Sequence, residues 1–222
     1  MTQAIFYKEW IKTYRISFIL LLAFLCSIAY TYINTAQAFR VTGAINVWEG
    51  IITKDTQIMP EIKWLPILAG ILLALTQYVP EMQNKRLKLT LHLPLSETKL
   101  VSTMLVFGTI VLLVLYTLAY IALLSGLSSY YPQEFIYSAW ISSLPWFIAG
   151  LMSYLLAAWI CLEPMWKQRI LNALFSVCIL SFLYISEKQG VYAPFIPYLL
   201  GSLVIIFSFP FYAVARFKEG VQ

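Results

Sequence analysis

Charged residues are scarce in this chain, and their scarcity excludes an ordinary soluble domain. Only 11% of the 222 residues are charged, whereas 61% are hydrophobic and the mean hydropathy is +0.78. A soluble domain is about half apolar and about a quarter charged. The composition therefore predicts a membrane protein.

The residues that most enzymes need are also missing. The three cysteines lie in or at the end of apolar segments, where a thiol behaves as a small hydrophobe, and they have neither metal-site nor disulfide spacing. His92 is the single histidine, and no nucleophile elbow or G-x-x-x-x-G-K-[ST] phosphate loop occurs. We expect no enzymatic activity, so any energy from ATP must come from another polypeptide.

Six apolar segments are long enough to cross a bilayer, whose hydrocarbon core needs roughly 20 mostly apolar residues. They cover residues 16–33, 64–80, 100–125, 138–162, 170–186 and 191–215. None of them contains Asp, Glu, Lys, Arg or His, although proton relays and ion-coupled carriers place ionisable groups at that depth. The sequence therefore predicts a multi-pass protein that is neither a proton-driven carrier nor a pump.

Basic residues are divided unequally between the two sides that six crossings define. The side of both termini holds 11 of the 15 Lys and Arg residues, together with five of the ten acidic residues. Lys and Arg are enriched in cytoplasmic loops. We therefore expect cytoplasmic N and C termini in a cell membrane, which would be the inner membrane of a bacterium with two membranes.

Two segments outside the predicted spans have helical patterns. As a helix, residues 1–15 have two neighbouring faces. The aromatic and apolar face is Tyr7, Trp10, Ile11 and Tyr14, and the basic face is Lys8, Lys12 and Arg15. This pattern predicts an interfacial helix with its cations towards anionic lipid. A simple topological anchor is the alternative. The loop 34–63 has apolar residues at helical spacing and predicts a second short interfacial helix, formed around Ile45, Trp48, Ile51 and Ile52.

Residues 81–99, EMQNKRLKLTLHLPLSETK, form the most charged stretch, and five leucines alternate within it as in a strand. The stretch resembles the six-helix permease subunits of ABC exporters, the type V group of ABCG-like and haem-exporter-like permeases, whose pattern is E-x-x-x-G-T-L-x-x-L-L-x-x-P. Glu81 and Pro94 have the required separation, and Leu87 and Leu91 match leucine positions. Lys85 and Arg86 replace the Gly-Thr pair. The opening FYKEWIKTYR also resembles the N-terminal helix of that group.

The resemblance implies that residues 81–99 are a cytoplasmic coupling helix that docks on an ATPase. A helix places Leu87 and Leu91 on one side and Leu89 on the other, whereas an isolated strand would leave unpaired amides, so we predict a helix. The contact residues implied here are Glu81, Lys85, Arg86, Leu87 and Leu91. The second loop on this side, CLEPMWKQR, offers a smaller contact through Glu163, Trp166 and Lys167, although a plain charged turn is an equal alternative.

The prediction is thus a single all-α permease domain over residues 1–222, with six transmembrane helices, an N-terminal interfacial helix and a cytoplasmic coupling helix. The resemblance implies an ABC exporter subunit with a second copy or a sister permease and two cytosolic ATPases that bind ATP and Mg, with no cofactor on this chain and no nucleic acid partner. The uncharged interior suits a hydrophobic or amphipathic cargo such as a lipid, a haem-like molecule or a peptide. The resemblance also implies that the second and fifth helices line its path. The polar candidates there are Thr76, Gln77, Asn172 and Ser176, although buried helix contacts explain such residues equally well.

Two other functions remain open from the sequence. One is the substrate-binding membrane subunit of an energy-coupling vitamin importer, which also has six helices and about this length. That class favours small-residue motifs on its first helix, which ISFILLLAFLCSIAY lacks. The other is a non-transporting membrane scaffold or assembly protein, for which no sequence feature is diagnostic.

Overall fold

The computed structural model is all-helical over the residues that it describes, which are 2–54, 57–83, 96–186, 188 and 190–218. Those ranges contain no strand, so the predicted all-α class is confirmed. Two short 3-10 helices, Pro60–Ile62 and Ala193–Phe195, precede the third and seventh α-helices. The α-helices are α1 Thr2–Thr42, α2 Ala44–Lys54, α3 Leu65–Met82, α4 Glu97–Leu127, α5 Gln133–Leu162, α6 Trp166–Phe182 and α7 Ile196–Lys218.

Five of these helices are long and apolar enough to cross a membrane, which makes the chain a multi-pass membrane protein. Three of them are α1, α4 and α5. The other two are α3 and α7, each taken together with the 3-10 turn that precedes it. The helix α6, with 17 residues, covers most of the predicted segment 170–186 but is not among the five. The predicted span 16–33 lies inside the much longer α1, without a break after residue 15.

The central helix is α5, which packs against α3, α4, α6 and α7. Residues 145–150 and 152–158 of α5 are all buried. A helix that is apolar all round its circumference is stable only when neighbours cover every face. Four helices, α3, α4, α6 and α7, therefore pack around α5, and α1 packs on α3 and α4.

Small residues bring α3 and α5 into close contact. A Cβ added to Gly70 would overlap with the carbonyl of Gly150, and a Cβ added to Gly150 would overlap with the Tyr116 hydroxyl. The Ser153 hydroxyl lies in the same crossing and donates hydrogen bonds to the carbonyls of Gly150, at 2.8 Å, and Ile67, at 3.1 Å. Small side chains let membrane helices approach closely enough for dense packing, so α3 and α5 form a rigid pair.

Side-chain contacts fix the directions of the helices. Lys12 of α1 meets Glu81 at the end of α3, and Asn34 meets Glu61 just before α3, so α1 and α3 are antiparallel. The starts of α1, α4 and α6 and the ends of α3, α5 and α7 lie together at one end, which we call the N-terminal end of the bundle. Contacts that establish this for the other helices join Phe24 with Tyr116, Gln77 with Met104, Trp159 with Phe175 and Phe209, and Glu163 with Arg216.

The predicted short helix in the loop 34–63 is present as α2. Its Ile51 is buried and its Trp48 ring stacks on Phe135 at 6.4 Å between centroids, whereas Ile45 and Ile52 are exposed. The first helix extends to Thr42, well beyond the predicted end of the first span at residue 33. The connection between α1 and α3 is therefore shorter and more helical than the sequence indicated.

Candidate functional site

Two buried carboxylates and two lysines join α1 to α3 at the N-terminal end; we call Lys8, Glu9, Lys12 and Glu81 the α1–α3 clamp. Glu9 and Glu81 are 0% and 2% exposed. Lys12 Nζ lies 2.8 Å from Glu9 Oε1 and also binds Glu81, while Lys8 Nζ lies 2.8 Å from Glu81 Oε1. A buried charge is tolerated only when it is paired. The clamp therefore fixes the start of α1 against the last turn of α3.

The clamp changes the role predicted for the basic face of residues 1–15. That face was expected to contact anionic lipid, but Lys8 and Lys12 instead pair with Glu81. The apolar face is exposed as predicted, and the exposed side chains are Tyr7, Trp10, Ile11 and Tyr14. The amphipathic pattern thus gave the helix and its exposed apolar face, but not the partners of its lysines.

A second ionic contact joins α5, α6 and α7 at the same end; we call Glu163, Arg169 and Arg216 the α5–α7 clamp. Glu163 directly follows α5 and is fully buried. Its Oε1 lies 3.3 Å from Arg216 Nη1 of α7. Its backbone carbonyl accepts hydrogen bonds from the Arg169 side chain of α6, at 2.6 Å from Nη2 and 3.2 Å from Nε. One residue therefore holds the ends of three helices together.

Inside the bundle, about one helical turn from Glu81, neutral side chains form a polar layer of Gln77, Tyr78 and Tyr154. Tyr154 donates to Gln77 Oε1 at 2.8 Å, and the hydroxyls of Tyr154 and Tyr78 lie 3.2 Å apart. Gln77 Nε2 donates to the Met104 carbonyl of α4 at 2.9 Å. The absence of a side chain at Gly108 leaves the space that the Tyr154 ring occupies. Fully paired buried networks make the local arrangement specific, so this layer fixes the register of α3, α4 and α5.

The four residues predicted to line a substrate path are not brought together. Gln77 is buried in the polar layer, while the hydroxyl of the partly exposed Thr76 bonds to Leu72 O in its own helix at 2.8 Å. Asn172 and Ser176 are the two buried residues of α6. Asn172 accepts a hydrogen bond from Gln168 at 3.1 Å, but its Nδ2 has no partner within the described ranges. Their shared face makes α6 polar towards the bundle.

The residues predicted to contact an ATPase fall into three groups. Lys85, Arg86, Leu87 and Leu91, and with them the predicted helix over 86–95, lie outside the described residues. Glu81 and Glu163 are buried in the two clamps rather than presented at the surface. Trp166 and Lys167 are exposed at the start of α6, where the Arg169 guanidinium lies 4.9 Å from the Trp166 ring centroid. The second loop therefore presents Trp166 and Lys167 and buries Glu163.

Sequence reasoning missed five residues of the clamps and the polar layer: Glu9, Tyr78, Tyr154, Arg169 and Arg216. Glu9 lies between Lys8 and Lys12, so a local reading pairs it with them on a solvated face. Tyr154 lies in an apolar run, GLMSYLLAAW, where its hydroxyl was the available signal because a buried tyrosine usually finds a hydrogen-bond partner.

The described His, Cys, Asp and Glu side chains form no group of three or more that would hold a metal ion. No protein-family model, curated protein or solved structure matches the chain.

Proposed function

We propose that this chain is the transmembrane subunit of an ATP-driven ABC exporter, with its N-terminal end at the cytoplasm and two separate ATPase chains docked there. In this proposal α1, α3, α4, α5, α6 and α7 are six crossings, and a second copy or a sister permease completes the transporter. The chain itself binds no nucleotide. ATP and Mg act on the ATPases, and the cargo is a hydrophobic or amphipathic molecule.

The α1–α3 clamp is the observation that carries this proposal. Glu81 lies in the last turn of α3, immediately before the stretch that resembles a coupling helix, and Lys12 ties it to α1. A force applied to that stretch would act on α3 and, through the clamp, on α1. Because α3 packs tightly on the central α5, the force would produce rigid-body movement of packed helices rather than local bending.

The sixth crossing is supported by the length and direction of α6. Its 17 residues span about 25 Å at 1.5 Å per residue, close to the roughly 30 Å of the hydrocarbon core. It runs antiparallel to α5, since Arg169 lies beside Glu163 and Phe175 lies beside Trp159. Tyr184, just beyond α6, donates to the Lys63 carbonyl at the opposite end of the bundle, at 2.9 Å.

The interior of the bundle supports an apolar or amphipathic cargo. The described parts of α3, α4 and α5 between their ends carry no charged side chain, and their buried polar groups are neutral: the polar layer together with Tyr116, Ser143 and Ser153. An ion or a sugar would need several convergent polar or charged groups to replace its water.

Trp166 and Lys167, both exposed at the N-terminal end, offer a second contact for an ATPase.

The test is purification of the tagged chain together with the ABC ATPase encoded nearest to its gene. The chain alone should hydrolyse no ATP, and hydrolysis should appear when the ATPase is bound. Replacing both Leu87 and Leu91 by Asp should abolish the complex or its coupled hydrolysis, because burying each leucine contributes roughly 1.5–3 kcal/mol. Leu89→Asp is the matched control, since a helix places it on the opposite side.

Several outcomes would contradict the proposal. ATP hydrolysis by the isolated chain would refute the proposal that a separate ATPase hydrolyses the nucleotide. Full binding of the ATPase by the variant with Asp at both 87 and 91 would remove the coupling role. Equal loss for substitutions at 87, 89 and 91 would favour a strand. Binding of an ATPase only through another membrane subunit would instead support the vitamin importer, and no ATPase binding at all would support the scaffold.

A further inference from the structure

The helices α1 and α4 are in contact near their starts and again about halfway along α1, and they separate between these two contacts. The rings of Phe6 and Phe107 are 5.5 Å apart, and those of Phe24 and Tyr116 are 5.9 Å apart. At 1.5 Å per residue, α1 covers about 27 Å between these contacts, whereas α4 covers about 13.5 Å. The longer path requires α1 to diverge from α4.

The divergence leaves a groove of about 900 Å³ that opens to the exterior of the bundle. Its wall is almost entirely apolar. On one side it is formed by a stripe of α1 with four-residue spacing, and on the other by a matching stripe of α4. The stripes are Trp10, Tyr14 and Phe18 on α1, and Ile110, Val114 and Leu118 on α4.

We propose that this groove binds the acyl chains of an anionic phospholipid from the leaflet at the N-terminal end, with the lipid phosphate at Arg15. Between Phe107 and Leu118 the groove follows α4 for about 16 Å at 1.5 Å per residue. That is half of the roughly 30 Å hydrocarbon core, so the groove has the depth of one leaflet. Arg15 lies partway along the α1 wall, and its long side chain can extend towards the headgroups while its aliphatic part stays in the groove.

The charge at the groove identifies the headgroup. Arg15 lines the groove and is exposed; its Nε donates to the hydroxyl of the neighbouring Tyr14 at 2.9 Å. Within the described part of the chain, no carboxylate pairs with Arg15, whereas Lys8 and Lys12 are engaged by Glu81. A guanidinium binds phosphate oxygens through two parallel donors. Trp10 and Tyr14 are of the types that lie at headgroup level.

The experiment reconstitutes the full chain in nanodiscs of equal parts phosphatidylcholine and phosphatidylglycerol and counts lipids retained after mild detergent extraction, by native mass spectrometry. The wild type should retain phosphatidylglycerol in preference to phosphatidylcholine. Arg15→Gln should reduce that preference about five-fold, since one basic residue near a membrane surface contributes about 1 kcal/mol. Arg40→Gln, an exposed arginine at the other end of α1, should leave it unchanged.

A second pair of variants tests the groove itself. Val114→Trp should fill it and reduce retention of both lipids, whereas Val204→Trp, at an exposed position of α7, should not. Thermal unfolding of each variant in detergent verifies that it is folded. Equal retention of the two lipids by the wild type, or equal effects of each variant and its control, would overturn the proposal. Efficient cross-linking of two copies through Val114→Cys, in a chain without its natural cysteines, would assign the groove to an interface between copies.

Discussion

Removal of the Lys12 side chain is the sharpest test of the α1–α3 clamp. Lys12 is 17% exposed and is the cation that bridges Glu9 and Glu81, which are almost completely buried. Lys12→Met keeps much of the aliphatic length but leaves two buried carboxylates facing each other. Breaking a buried ion pair by removing one partner costs about 3–5 kcal/mol, so we expect a destabilisation in this range.

Lys8→Met is the matched control because Lys8 binds the same Glu81 oxygen from a position where its side chain is 42% exposed. Solvent screening should limit its effect to about 0.2–1 kcal/mol. The measurement is equilibrium unfolding in mixed micelles of dodecyl maltoside and SDS, followed by tryptophan fluorescence. Equal losses for the two variants, both below 1 kcal/mol, would refute the inference that Lys12 neutralises a buried pair.

A rescue variant separates electrostatics from packing. Adding Glu9→Gln to Lys12→Met removes one of the two facing charges and should recover more than half of the lost stability, because Lys8 still neutralises Glu81. Glu9→Gln alone should have a much smaller effect, since Lys12 and Glu81 remain paired. If the double variant is no more stable than Lys12→Met, the loss comes from packing of the lysine chain.

Two further predictions concern the polar layer and the topology. Gly108→Val should lower the free energy of unfolding by about 1–3 kcal/mol through overpacking, because its Cβ would overlap the Tyr154 ring. Adding Tyr154→Phe should not restore the lost stability, whereas adding Tyr154→Ala should, and the same unfolding assay measures both. With cytoplasmic termini, a membrane-impermeant maleimide applied to intact cells should label Lys188→Cys and not Thr2→Cys. The reverse labelling would invert the topology, and labelling of both would end the six-span arrangement.

The sequence predicted the features that depend on local composition. Apolar runs of sufficient length gave the long helices, and the spacing around Trp48 gave α2. The length of α1 was missed because its residues 34–42, NTAQAFRVT, are too polar for a span and yet continue the helix. A hydropathy pattern identifies which residues enter a bilayer, whereas the helix ends where its backbone turns, at Gly43 with φ +82°.

The contacts within the site could not be predicted from local sequence patterns, because they join residues that are far apart in the sequence. Lys12 and Glu81 are 69 positions apart, and Tyr154 lies 77 positions from Gln77. The pairing of Tyr154 with Gln77 follows from the register of α3 and α5, which Gly70 and Gly150 bring into close contact. Amphipathicity assigned Trp10 and Tyr14 to one apolar face of α1, and that face is exposed. It could not assign the partner of a lysine on the adjacent face.

The two ends of the bundle are held by different kinds of contact, and this difference bears on the proposed mechanism. Breaking a buried ion pair, as in either clamp, costs about 3–5 kcal/mol. At the opposite end Tyr184 donates to the Lys63 carbonyl, a neutral hydrogen bond whose net contribution is about 0.5–1.5 kcal/mol, and Asn34 donates to the Glu61 carboxylate, a bond whose net contribution is about 1.5–3 kcal/mol. If an ATPase pulls on the end of α3, the clamps at the N-terminal end should transmit the displacement intact, and separation of helices should begin at the weaker end. Cross-linking of Lys63→Cys to Tyr184→Cys should therefore block transport while leaving ATPase binding unchanged.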